Sequence, residues 1–176
     1  EEIFDGVPIS EITTSLAGQS PIVLAEYFST AEKQGVPLNK VAGTLQNDPI
    51  HCYNVVGMGH SVPLDLSVKL TVDMIEFCTK YVPKWNTVNI GMYDWRDAGI
   101  NAAQEIAFGF STAMVYIDKT LERGLNIDEF APRIGFYSSS GIDILEEAAK
   151  FRAMRRMWAR MMRERYGAEN PKSWRA

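Results

Sequence analysis

The chain has 176 residues, with 18 Lys+Arg against 22 Asp+Glu, a formal net charge of −4, 46% apolar and 23% charged residues. Those proportions suit a single globular domain and disfavour collagen-like, disordered and strongly cationic nucleic-acid-binding classes. Apolar runs such as Pro21 to Ala25 and Ala113 to Ile117 are far below the roughly 18 residues that suggest a membrane span.

Phe4-Asp5-Gly6-Val7-Pro8 opens the chain without a Met and reads as part of something longer. Ile9 to Leu16, β-branched and Thr-rich, predicts a first strand. Ser20-Pro21 supplies an N-cap and a first-turn proline to a helix marked by Ile22, Ala25, Tyr27, Phe28 and Ala31. Lys33-Gln34-Gly35, with Pro37 beyond, ends it. Val41 to Leu45 predicts a second strand, and Pro49, Gly57, Gly59 and Pro63 predict an irregular connection. From about Asp65 to Tyr81, Leu66, Leu70, Met74, Phe77 and Cys78 recur at helical spacing and predict that face as buried.

Pro83-Lys84-Trp85-Asn86 ends that helix, and Thr87 to Ile90 predicts the third strand. Asp97 and Ala98 begin the next helix, with Ile106, Phe110, Met114 and Ile117 as its buried face. After a turn at Asp128-Glu129-Phe130-Ala131-Pro132, Arg133 to Tyr137 predicts the fourth strand. The last helix is expected from Ile142 to Tyr166-Gly167, buried through Ile144, Ala148, Phe151, Met154, Trp158 and Met161. Its acids (Asp143, Glu146, Glu147) come first and its arginines (Arg160, Arg163, Arg165) last, which complements the helix dipole. That account covers the basic patch without nucleic acid.

Alternating strands and helices make this an α/β sequence of parallel β/α units. The carboxyl ends of such strands are where sites form, and here they carry Gly18-Gln19-Ser20, Gln46-Asn47-Asp48, Tyr93-Asp94-Trp95-Arg96 and Ser138-Ser139-Ser140. Gly43 through Asp48 could orient a polar ligand or form an Asx-type turn capping the next segment. Tyr93-Asp94-Trp95-Arg96-Asp97 could be a site or a surface arginine between acids, with Asp97 as helix N-cap. His51 and His60 lack partners at metal-ligand spacing, so a solvated or core histidine is expected and no metal. Met154, Met157, Met161 and Met162 beside Trp158 read as core. No P-loop, G-x-G-x-x-G or nucleophile elbow occurs. Cys52 and Cys78 form no CxxC or disulfide framework, and Glu1 and Glu2 stand where a signal peptide needs cations. A reducing, cytoplasmic location is expected.

Several blocks resemble the catalytic barrel of the methylmalonyl-CoA mutase family. They are Phe4 through Pro8, Ala42 through Asp48, Pro83 through Thr87, Tyr93 through Gly99, Asp128 through Arg133, Glu147 through Trp158, and Asn170-Pro171-Lys172-Ser173. The resemblance covers nearly the whole chain in the family's order. It implies about four of the eight units of a TIM-type (β/α)8 barrel, residues 1–176 being a partial catalytic domain. It also implies an adenosylcobalamin-dependent radical isomerase, a carbon-skeleton mutase, in which an acyl-CoA ester threads the barrel under a cobalamin domain.

By position, Thr44, Leu45 and Gln46 are similar to the family's CoA-ester segment, and Lys84 to a CoA-contacting lysine. Arg133, Ile134 and Gly135 are similar to a third substrate-binding segment. Tyr93 matches a tyrosine beside substrate and cobalamin, and Asp97 stands where glutamate is usual, as an adenosyl contact. Asp94 replaces the histidine that meets the thioester carbonyl, the arginine that clasps a second carboxylate is lost around Val55 and Val56, and Gly135 replaces a serine. These departures point away from methylmalonyl-CoA and towards a less polar or hydroxylated acyl group. They also leave room for a non-catalytic barrel subunit, or for an unrelated ligand-binding module. No Asp-x-His-x-x-Gly motif occurs, so the cobalt ligand, the remaining strands and the cobalamin-binding domain are expected from elsewhere; no nucleic-acid or membrane partner is expected. Four units leave two parallel sheet edges needing closure.

Overall fold

The computed structural model describes residues 2–18, 21–56 and 62–176. The expectations for Gln19, Ser20, Gly57, Gly59 and His60 lie outside the described residues. Among the described residues, five strands and seven α-helices follow one another as β1 (Thr13–Ala17), α1 (Pro21–Lys33), β2 (Ala42–Gln46), α2 (Pro49–His51), α3 (Leu64–Tyr81), β3 (Lys84–Asn86), β4 (Val88–Gly91), α4 (Tyr93–Asp97), α5 (Ala102–Leu121), α6 (Ile127–Phe130), β5 (Ile134–Tyr137) and α7 (Ile144–Glu164). Among the described residues no helix is long and apolar enough to cross a membrane.

Every strand pairing is parallel. β1 pairs with β2 from Thr13↔Ala42 to Ala17↔Gln46, β2 with β3 from Ala42↔Lys84 to Thr44↔Asn86, and β4 with β5 from Val88↔Ile134 to Gly91↔Tyr137. The expected third strand, Thr87 to Ile90, is β4, and Lys84–Asn86, expected to end a helix, form a further strand, β3, separated from it at Thr87. There the side chains that follow β2 replace the backbone ladder. Asn47 Nδ2 donates to the Thr87 carbonyl at 3.5 Å and Asp48 Oδ2 accepts from the Gly91 N–H at 2.9 Å. The mixed α/β architecture with sequential parallel strands is that of consecutive units of a partial β/α barrel.

Other local expectations change too, among them the first strand, which begins at Thr13 and not Ile9, and the turn expected at residues 128–132, which is helical. The irregular segment after β2 is helical in its first part. Asp48 accepts the His51 N–H at 3.2 Å as the cap of α2, Pro49 opens the turn, and a π-helical turn follows over Cys52–Val56. The third long helix starts at Ala102, not Asp97, because Gly99 at φ +101° interrupts the chain. Asn101 then caps it, accepting from Gln104 N at 2.9 Å while Gln104 Oε1 accepts from Asn101 N at 3.0 Å. The last helix likewise starts two residues late, after Asp143, whose carboxylate accepts the N–H groups of Leu145 and Glu146.

The helices cover one side of the strands in two clusters. Ile9, Leu24, Tyr27, Phe28, Leu45 and Trp85 form one with Met74 and Cys78 of α3. Val88, Ile90, Phe110, Tyr116, Ile134, Met154 and Trp158 form the other with Ile75. Because α3 serves both clusters, its buried stripe is Thr71, Val72, Met74, Ile75 and Cys78, and Leu66 and Phe77 turn outward. In α7 the stripe is Glu147, Lys150, Met154, Trp158 and Met162, which leaves Ile144 and Ala148 exposed. The shift has an electrostatic cause. Lys150 Nζ must reach Glu105 Oε2 of α5 at 3.0 Å inside the molecule. Of the four methionines, Met154 and Met162 are core residues, Met161 is half-buried and Met157 is exposed.

Candidate functional site

Strand alternation sends Leu45, Trp85, Val88, Ile90 and Ile134 into the helix-covered core. The residues between them face the other, inner side of the strands. Ser15, Thr44 and Asn86 lie in one row across three strands, and Asn86 Nδ2 donates to Thr44 Oγ1 at 3.0 Å. Gln46 Nε2, at the end of β2, donates to the Tyr137 phenol at 3.0 Å across the two sheets. Asn89 lies beside Gly135, where a Cβ would come within 2.8 Å of Asn89 Oδ1. That oxygen is buried and lacks a hydrogen-bond partner. Barrel interiors are ordinarily filled by bulky branched residues. This inner face carries hydroxyls, amides and glycines instead, so it can accept a polar ligand.

Lys84 opens β3 and Arg133 closes the 3₁₀ turn just before β5. Both cations therefore stand at the amino ends of strands. Leu45 and Ile134, expected with the same segments, have core side chains, so only their backbone can face a ligand.

At the carboxyl ends, α2 and α4 bring together residues that are far apart in sequence. His51 Nε2 lies 2.8 Å from Asp94 Oδ2, and the His51 ring centroid is 6.3 Å from that of Tyr93. Tyr93 in turn meets Tyr137 edge-on at 6.2 Å. Burial, and then the neighbouring Asp94 carboxylate, push the Tyr93 phenol above its usual value. Under this group, Asp48 accepts from the Tyr116 phenol at 2.8 Å as well as from the backbone of His51 and Gly91. Burial raises the Asp48 carboxyl despite those three donors, and burial with the Asp48 charge raises Tyr116 well above its usual range.

The Tyr93–Asp97 motif divides. Tyr93 and Asp94 join the inner group, but Arg96 turns away, to Glu105 at 3.7 Å, Glu146 at 3.1 Å and Glu147 at 3.5 Å. Its partners are thus on α5 and α7, not the flanking acids. Asp97 is exposed at the end of α4, and the capping role considered for it belongs to Asn101. Behind the motif, Glu105 accepts from Ser138 Oγ at 2.7 Å and from Ser139 N at 2.9 Å, which fixes the connection after β5.

Sequence reasoning passed over four residues of this group. Tyr137 and Asn89 could have been found from period-two alternation in their strands. Gly91 and His51 could not, because their relation is tertiary: a Cβ on Gly91 would sit 2.6 Å from His51 Nδ1.

The cobalamin group implied by the resemblance fits this end in one respect. Tyr93, Tyr137 and Asp97 are exposed together at the carboxyl side of β4 and β5, a rim of rings and a carboxylate suited to one face of a large macrocycle. Its cobalt ligand does not come from His51, which is buried and turned to Asp94.

The sequence model of the family described as methylmalonyl-CoA mutase matches residues 1–176. The chain is 36% identical over 173 residues to the mitochondrial methylmalonyl-CoA mutase of Homo sapiens, covering 97% of this chain and 23% of that protein. It is 40% identical over 154 residues to the 2-hydroxyisobutanoyl-CoA mutase large subunit of Aquincola tertiaricarbonis, covering 88% and 27%. With the methylmalonyl-CoA mutase of Cereibacter sphaeroides it shares 35% over 164 residues, covering 92% and 23%. The chain spans about a quarter of the length of these relatives.

Proposed function

Because the chain belongs to the methylmalonyl-CoA mutase family, we propose that it forms part of the catalytic barrel of an adenosylcobalamin-dependent carbon-skeleton mutase acting on an acyl-CoA thioester. The observation that carries this reading is the polar inner face between two unlike ends. Lys84 and Arg133 stand at the amino ends of the strands, and Tyr93, Asp94 and Tyr137 at the carboxyl ends. A phosphate-bearing head at the cationic end would leave the thioester near Tyr93.

In this arrangement Thr44, Gln46 and Asn86 hydrogen-bond the arm, with the backbone of Leu45, Ile134 and Gly135 beside it. Tyr93 and Tyr137 shield the acyl group from water. Bound against the Tyr93 and Asp97 rim, adenosylcobalamin would supply the radical that starts the rearrangement. The remaining strands and the cobalt ligand come from outside these residues. A second carboxylate on the acyl group would meet Asp94, since the nearby Arg96 is engaged by three glutamates. This favours an acyl-CoA other than methylmalonyl-CoA. A reducing, cytoplasmic setting suits two cysteines that form no disulfide, Cys78 being pushed up to about 12 by burial.

The test is the full-length protein with its cobalamin partner and adenosylcobalamin, mixed with a panel of branched acyl-CoA esters. Isomerised product with a paramagnetic resonance signal supports the reading, and neither across the panel rejects it. Asp94 in place of the family's histidine favours a second reading, a non-catalytic barrel partner. Asp94→His separates them: gained CoA-ester affinity marks a degenerate site, and loss of an existing turnover marks a specialised one.

A further inference from the structure

We propose that His51 and Asp94 act as one element that reads a hydroxyl on the acyl group, so that the site takes a hydroxyacyl thioester. The inference rests on the acyl-CoA reading above and narrows it.

The two residues are 2.8 Å apart between Nε2 and Oδ2, with side chains 7% and 25% exposed. The imidazole lies behind the carboxylate, and Asp94 is the member that can touch a ligand. His51 is a positioning residue. Its Nε2 is buried and makes no aligned hydrogen bond, so packing holds the pair. The packing is specific. Asp48 Oδ1 accepts the His51 backbone N–H at 3.2 Å, and Gly91 leaves room for the ring where a Cβ would approach it to 2.6 Å. Tyr93 flanks the ring on the other element.

A carboxylate only accepts hydrogen bonds, and so does a thioester carbonyl. Asp94 therefore gains nothing from the carbonyl, and it repels a dicarboxylic acyl chain. A hydroxyl on the acyl chain can donate to it. With Oδ2 beside His51 and the Tyr93 phenol also reaching the carboxylate, a ligand hydroxyl would share this acceptor with Tyr93.

The experiment uses the full-length protein assembled with its partner, before adenosylcobalamin is added, so that binding is read without turnover. Calorimetric Kd values are measured for 2-hydroxyisobutanoyl-CoA, isobutanoyl-CoA and methylmalonyl-CoA. The hydroxylated ester should bind about 10-fold or more tighter than its deoxy analogue, as expected for a hydrogen bond to a charged group. Asp94→Asn should remove most of that preference by weakening the hydroxylated ester alone. His51→Ala should lower the preference, and His51→Gln, which restores most of the side-chain bulk behind Asp94, should recover part of it. Equal affinities for the two esters, or an Asp94→Asn variant that weakens both alike, overturn the inference and leave the acyl-CoA reading standing. Failure to bind any CoA ester overturns both.

Discussion

The carboxylate of Asp48 accepts the phenolic proton of Tyr116 at 2.8 Å in the interior, tying the residue after β2 to the middle of α5. The same carboxylate receives the N–H of Gly91 at 2.9 Å and of His51 at 3.2 Å. One side chain thus fixes β4, α2 and α5 beneath the candidate site.

Asp48→Asn places an amide that can also donate among three donors, and should lower stability by about 1–3 kcal/mol. The pH dependence has a definite sign. Burial raises the Asp48 carboxyl above 3.8 in the folded protein. Between that value and the folded one, the native state keeps a proton that the unfolded chain has released. Stability from this group therefore falls as pH rises through the window. Urea denaturation across a pH series should show that fall in the parent protein and not in Asp48→Asn.

Glu105 has the opposite sign. Burial acts to raise its carboxyl, but the Ser138 hydroxyl, the Lys150 ammonium and the Ser139 N–H outweigh it and hold it below 4.5. Its contribution is fully present above that value and is lost as pH falls through the lower folded one. Lys150→Met removes one cation from the buried carboxylate but leaves Ser138, Ser139 and Arg96 beside it, and should cost about 1–3 kcal/mol. Glu105→Gln combined with Lys150→Met should cost less than the single Lys150→Met change. A double-mutant cycle by chemical denaturation checks both statements.

Gly91→Ala tests how the site is seated. The added methyl would fall 2.6 Å from His51 Nδ1, so the ring must move or the strand must shift, at about 1–3 kcal/mol. Thermal unfolding should register that cost. Calorimetry should also show a weaker preference for the hydroxylated ester, because His51 would no longer stand against Asp94.

Lys84→Ala and Arg133→Ala act at the other end. Each should raise the Kd for CoA esters about 10-fold, the weight of one hydrogen bond to a charged group. The preference between hydroxylated and deoxy esters should be unchanged. Titrations at low and high salt should show the parent's affinity falling with ionic strength more steeply than either variant's.

The order and type of the elements were legible in this sequence because they depend on short-range patterns. Apolar periodicity located α1, α3, α5 and α7, and β-branched runs located β1, β2, β4 and β5 but not β3, whose residues read as the end of a helix. Family blocks carried by Thr44, Lys84, Tyr93 and Arg133 pointed to the two ends of the inner face before any geometry was known. Boundaries set by single side chains were harder to see, since Asn101 and Asp143 took the caps expected nearer Asp97 and Ile142.

What only the tertiary structure decided is which polar groups meet. Buried stripes on α3 and α7 rotated because one helix serves two clusters and the other must deliver Lys150 to Glu105. β3, which the sequence presented as the end of a helix, is separated from β4 at Thr87 because Asn47 and Asp48 take the place of the backbone ladder there. His51 and Asp94 lie on different β/α units, and no spacing rule connects them. They meet because parallel strands bring the ends of β2 and β4 together, and because Gly91 has no side chain to keep the ring away.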